Sequence, residues 1–308
     1  MSKKPSIGLA LGSGSSRGWS HIGIINALAE LGVEPDIVCG TSIGALVGAS
    51  YVSGSLDRLE AWTRSLTRLD TARFFEINTS LTGFVNTDRL HYFLNENVAG
   101  DDVVIERMDK QYAAVSTDLE TGREIWLSNG SLIQAVWASI SLPGLFPAIR
   151  NDSRWLVDGG LVNPVPVSVC RALGADIVIA VNLNGDIIGK HFDKPRKAKK
   201  KKAAKKKATN GVGRITELVR EYTSSLFFAP KDEEQPPGLL DAIAGSFNIT
   251  QDRITRSRMA GDPPDILLSP KLADIRLLEF YRAADAIREG EKCVHRMRPE
   301  IEYMLDPA

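Results

Sequence analysis

Three short blocks hold residue types that could perform acyl chemistry. Gly40-Thr41-Ser42-Ile43-Gly44 fits G-x-S-x-G. Small residues at both ends let a chain turn sharply from strand to helix. The serine is then strained, with its oxygen exposed at the sheet tip. The N-terminus of the following helix adds a positive dipole. A tight turn with a helix-capping serine would use the same residues.

The second block is Gly12-Ser13-Gly14-Ser15-Ser16-Arg17-Gly18. Backbone N–H groups of small residues can share a concavity that binds an anion. No Gly-Lys-Ser/Thr follows, so it is not a Walker loop. Arg17 stands where a third dinucleotide-fingerprint glycine would fall. The chemical reading is an oxyanion hole near Ser42; the plain one is a strand-to-helix turn. Arg17 is expected to brace the loop more than to hold a phosphate.

Asp158-Gly159-Gly160 follows the run Arg154–Val157, which reads as a strand. A carboxylate at the C-terminal end of a parallel strand lies where α/β active sites form. A turn aspartate would look the same. A Ser-His-Asp order needs a histidine after the acid. Only His191 and His295 qualify, one inside a lysine run and one on a polar helix. His21 and His91 come too early. A direct Ser–Asp dyad is therefore favoured, provided the carboxylate is desolvated enough to act as base.

The elements needed to hold these blocks are legible in outline. Ile7–Leu11 and Asp36–Cys39 read as short buried strands. Trp19–Leu31 reads as a helix closed by Gly32, and a second helix runs from the G-x-S-x-G block to Tyr51. Residues 57–110 look mostly helical, with loops at Asn78–Gly83 and Gly100–Val103. Gln111–Asp118 and Arg123–Leu127 suggest a hairpin around Thr121-Gly122. Ser131–Ile140 and Val165–Leu173 read as helices, and Asp176–Asn182 as a buried strand. Leu239–Met259 reads as a helix, Asp265–Leu268 as a last strand, and the tail from Leu272 to Leu305 as helices. This rhythm is α/β with a mostly parallel sheet.

The chain has 308 residues, 43% hydrophobic and 25% charged, which suits a globular protein. Basic and acidic residues number 38 each. Residues 190–207 alone are net +10, so the remainder is net −10. The run reads as a solvated loop, and the amphipathic pattern Ile215, Leu218, Val219, Tyr222, Leu226 follows it. Together they suggest peripheral contact with an anionic membrane, the inner face included. No aromatic residues interleave residues 194–207, so no nucleic acid is expected. Phe227 and Phe228 suit either role for residues 210–260, a lid over the site or the surface of a homo-oligomer such as a dimer. Cys39, Cys170 and Cys293 form no disulfide framework or CxxC pair, which fits a cytoplasmic location. The expected organisation is a core over 1–184, a lysine-rich insertion over 185–210 and a helical part over 211–308 completing the same domain.

Leu9–Gly23 (LALGSGSSRGWSHIG), Gly40–Gly44 and Asp158–Gly160 resemble, in order and spacing, the three blocks of patatin-like phospholipases. Arg258–Pro270 (RMAGDPPDILLSP) and Ile177–Asn182 look similar to the bacterial RssA-type branch. The resemblance implies a three-layer α/β/α fold and a lipid ester substrate. It implies Ser42 as nucleophile, Asp158 as base, no metal and no cofactor. Backbone N–H groups of Gly12, Ser13, Gly14, Ser15 and Ser16 would form the oxyanion hole. Arg17, Gly18, Gly40, Gly44, Gly159 and Gly160 would support the motifs. Typical members carry more glycine where this chain has Ser13 and Ser15. An acyltransferase using the same dyad, or a regulatory or scaffolding protein on this fold, remain alternatives.

Overall fold

The computed structural model describes residues 4–74, 87–187 and 239–305. The lysine run, the amphipathic pattern after it and the Asn78–Gly83 loop lie outside the described residues.

Five apolar runs form the parallel part of one sheet. β1 (Ile7–Leu11) lies between β2 (Ile37–Thr41) and β7 (Ile177–Val181). β3 (Gln111–Asp118) continues beyond β2, and β8 (Ile266–Leu268) beyond β7. The core strands are apolar without alternation because both faces are covered. On one face lie α1 (Ser20–Glu30), α2 (Ile43–Val52), α5 (Thr87–Asn97), α6 (Leu132–Ile140) and α9 (Ala283–Arg296). Their label order is completed by α3 (Leu56–Ser65), α4 (Arg68–Phe74), α7 (Val167–Ala172), α8 (Leu239–Gly261) and α10 (Arg298–Leu305). On the other face α7, with Met259 of α8, covers Ala10, Cys39, Ala113 and Val178. The result is three layers, α/β/α.

Helix limits follow local chemistry. Ser131 caps α6 by accepting from the Gln134 N–H. Gly32, at φ +74°, ends α1. α1 begins at Ser20 because Ser15–Trp19 form a 3-10 turn first. The stretch 272–279 is not helical, contrary to the reading of the tail. The C-terminal part docks through reciprocal glycines. A Cβ on Gly23 of α1 would fall 2.0 Å from the Ile287 carbonyl oxygen, and one on Gly290 of α9 2.1 Å from that of Ser20.

The strand under Asp158 corrects the sequence reading. β6 (Arg154–Asp158) runs antiparallel to β3, with Ser116 paired to Asp158. A short strand β5 (Ile149–Asn151), unseen in the sequence, pairs with it. β4 (Glu124–Leu127) occupies one edge of β3 over Ala114–Thr117. The opposite edge is shared. β2 takes it up to Val115, opposite Thr41, and β6 takes it from Ser116. The C-terminal ends of β2 and β6 therefore meet head to head beside β3. Ser42 and Asp158 are brought together by that meeting.

Candidate active site

Ser42 stands at the turn from β2 into α2 with φ +56°. Such a backbone costs on the order of 1–2 kcal/mol for a non-glycine residue. The surroundings hold it there. The Ser42 N–H donates to Ser139 Oγ at 2.8 Å, and that hydroxyl donates to the Val115 carbonyl at 2.6 Å. Gly44 is required by close approach, since a Cβ would fall 2.1 Å from the Leu11 carbonyl oxygen. The first turn of α2 is thereby pressed against the end of β1.

Asp158 is fixed on every side. Its N–H donates to the Ser141 carbonyl and its carbonyl accepts from Thr117 Oγ. The Ser42 hydroxyl donates to Oδ2 at 2.5 Å, and the Gly160 N–H donates to Oδ1 at 2.7 Å. The side chain is buried, with the residue 1% exposed. Burial pushes its pKa from the usual 3.8 up to about 6, although both hydrogen bonds favour the ionised form. A carboxylate with that basicity, touching a strained serine hydroxyl, can accept its proton near neutral pH.

The Gly12–Gly18 loop packs beside this pair, and its N–H groups divide into two sets. Gly12, Ser13 and Ser16 donate to the carbonyls of Val181, Pro164 and Leu277. Gly14 and Ser15 make no backbone N–H hydrogen bond among the described residues, and both line the cleft over Ser42. Ser15 takes φ +53° without being glycine. Arg17 is buried; its Nε donates to the Gly14 carbonyl and its Nη2 to Asn248 Oδ1. Its contacts are those of a brace. Burial lowers its pKa from 12.5 to about 10. Gly18 leaves room for Ile43, whose Cγ1 would lie 2.3 Å from an added Cβ.

None of the histidines with a described side chain contacts the pair. Buried His21 donates from Nε2 to the Gly12 carbonyl at 2.8 Å, and burial lowers its pKa to about 4. It stays neutral and braces the glycine loop. His91 sits beside Asp101, and His295 lies on α9. His191 falls outside the described residues. Among the described residues no group of three or more His, Cys, Asp or Glu could hold a metal ion.

The cleft beyond the pair is apolar. Trp19, Leu46, Phe93, Ile140, Phe146 and Phe247 contribute to its walls, and Ser42 and Asp158 line it as well. Two residues that serve the site carry no sequence signal. Ser139 lies in the ordinary helical run of α6. Gln251 of α8 reaches the site from 93 residues beyond Asp158 in the chain. Neither has a motif around it.

The patatin-like phospholipase family model matches residues 9–171, more than half of the chain. An uncharacterized NTE family protein of Mycobacterium tuberculosis is 31% identical over 326 residues, covering 94% of this chain and 90% of that protein. Patatin-like phospholipase domain-containing protein 7 of Mus musculus is 37% identical over 189 residues. That match covers 58% of this chain and 13% of the mouse protein. Neuropathy target esterase sws of Drosophila melanogaster is 32% identical over 185 residues, with the same two shares. By the family match and the whole-length relative together, this chain belongs to the patatin-like phospholipase family.

Proposed function

We propose that the protein is a serine acyl-hydrolase that cleaves carboxylic esters of lipids, phospholipid or lysophospholipid, through an acyl-Ser42 intermediate. Family membership carries the coarser statement, an esterase of the phospholipase type acting on lipid esters. The single observation behind the finer one is the 2.5 Å hydrogen bond from Ser42 Oγ to a buried Asp158 carboxylate. Asp158 takes the hydroxyl proton as Ser42 attacks the ester carbonyl. The N–H groups of Gly14 and Ser15, which have no partner among the described residues, are the proposed oxyanion donors, which narrows the five residues read from the sequence to two. The apolar cleft receives the acyl chain, and the alcohol leaves with the proton that Asp158 held.

The deciding experiment is covalent labelling with a fluorophosphonate alongside turnover of p-nitrophenyl acyl esters and phospholipid vesicles. Labelling at Ser42, with turnover lost in Ser42→Ala and Asp158→Asn, supports the reading. A wild-type protein that neither labels nor turns over any of these esters sinks it.

A further inference from the structure

Beside the Oδ1 edge of Asp158, in the same cleft as Ser42, lies a second set of polar groups that the acylation step does not use. Ser13 is 1% exposed, lines the cleft, and its Oγ has no hydrogen-bond partner among the described residues. Gln251 is 2% exposed and also lines the cleft. Its Oε1 accepts from Asn184 Nδ2 at 2.9 Å, which orients the amide and leaves the Nε2 donors for another acceptor. The spot they share is marked by Gly160. A Cβ there would stand 2.2 Å from Gln251 Nε2, 2.9 Å from Asp158 Oδ1 and 3.3 Å from Ser13 Oγ. Polar atoms from three distant segments thus converge, and only glycine at 160 leaves the spot clear. A buried hydroxyl without a partner is costly and calls for a ligand or a role.

We propose that Gln251 and Ser13 hold the water that hydrolyses acyl-Ser42, a role that rests on the acyl-enzyme reading above. The Gln251 amide donates to one lone pair of the water, and Ser13 Oγ accepts one of its hydrogens. The other lone pair attacks the acyl carbonyl carbon while the second hydrogen passes as a proton to Asp158. The tetrahedral intermediate then collapses. Its bond to Ser42 Oγ breaks, the proton moves from Asp158 to that oxygen, and a carboxylic acid leaves. The cleft has a free volume of about 80 Å³, against about 10–15 Å³ for one water on that measure. Water and a short acyl group fit together.

Rapid-mixing kinetics of the full chain with p-nitrophenyl butyrate test this through Gln251→Leu and Ser13→Ala. The expected result is a first turnover within about twofold of wild type, then a steady rate lower by about ten- to a hundredfold. Acyl-Ser42 should accumulate by mass, and the rate of fluorophosphonate labelling should be unchanged. A first turnover slowed as much as later ones, or a steady rate that does not fall in either variant, overturns the assignment. Absent labelling of wild-type Ser42 would instead count against the hydrolase reading itself.

Discussion

Ser139 Oγ accepts the backbone N–H of Ser42 at 2.8 Å and passes its own hydrogen to the Val115 carbonyl. One hydroxyl thereby ties the strained elbow to β3, the strand that also carries Asp158 in register through Ser116. Ser139→Ala leaves two buried backbone groups without that partner. It should cost about 1–3 kcal/mol in a urea titration. It should also lower ester turnover more than it slows binding, since the elbow geometry serves the reaction.

Activity should depend on one carboxylate. With Asp158 raised to about 6, kcat/KM for a neutral ester should rise as pH climbs through about 6 and then level off. Asp158→Asn should lose at least about a thousandfold. A rising limb set near 7 and shifted by His21→Gln would show that a histidine carries the base role.

Stability should move the opposite way. The folded-state pKa of Asp158 lies above its ordinary 3.8, so between about 4 and 6 the native state binds more protons than the unfolded chain. Its contribution is therefore fully present below the unfolded pKa and lost as pH rises through about 6, by roughly 3 kcal/mol. At pH 7 Asp158→Asn should melt above wild type, because the amide oxygen still accepts from the Gly160 N–H, the amide nitrogen donates to Ser42 Oγ in a reversed bond, and no buried charge remains. A lower melting temperature for the variant would contradict this.

Gly44→Ala should be severe. The added Cβ meets the backbone carbonyl of Leu11 at 2.1 Å, and neither strand nor helix can retreat. Loss above about 3 kcal/mol, seen as insoluble or early-melting protein, is expected. Gly245→Ala is the control, since among the described residues nothing lies within 4 Å of a Cβ there.

Ser15 holds φ +53°, a conformation that a residue with a Cβ adopts at a cost. Ser15→Gly should relieve that strain, offset in part by greater freedom of the unfolded chain. A net gain of about 0.5 kcal/mol with esterase activity retained is expected, measured by thermal melting and p-nitrophenyl ester turnover.

The sequence alone was sufficient for the local pieces. Buried strands betray themselves by unbroken apolar runs, as in Ile7–Leu11 and Ile177–Val181. The elbow announces itself because only small residues fit at 40 and 44. Asp158 was legible as a strand-end acid beside two glycines. The partners that make these residues a site were not. β6 has the composition of any short strand, and only its pairing with β3 decides that it runs antiparallel and ends against β2. Ser139, His21 and Gln251 reach the site from helices whose sequences look like ordinary packing faces. Which loop N–H groups are already bonded was likewise decided by the carbonyls of Val181, Pro164 and Leu277, all remote in the chain. Local spacing fixes what a residue can do, because turns and strands are short-range. Which groups it meets depends on contacts 67 to 116 residues apart in the chain, and those exist only once the sheet is assembled.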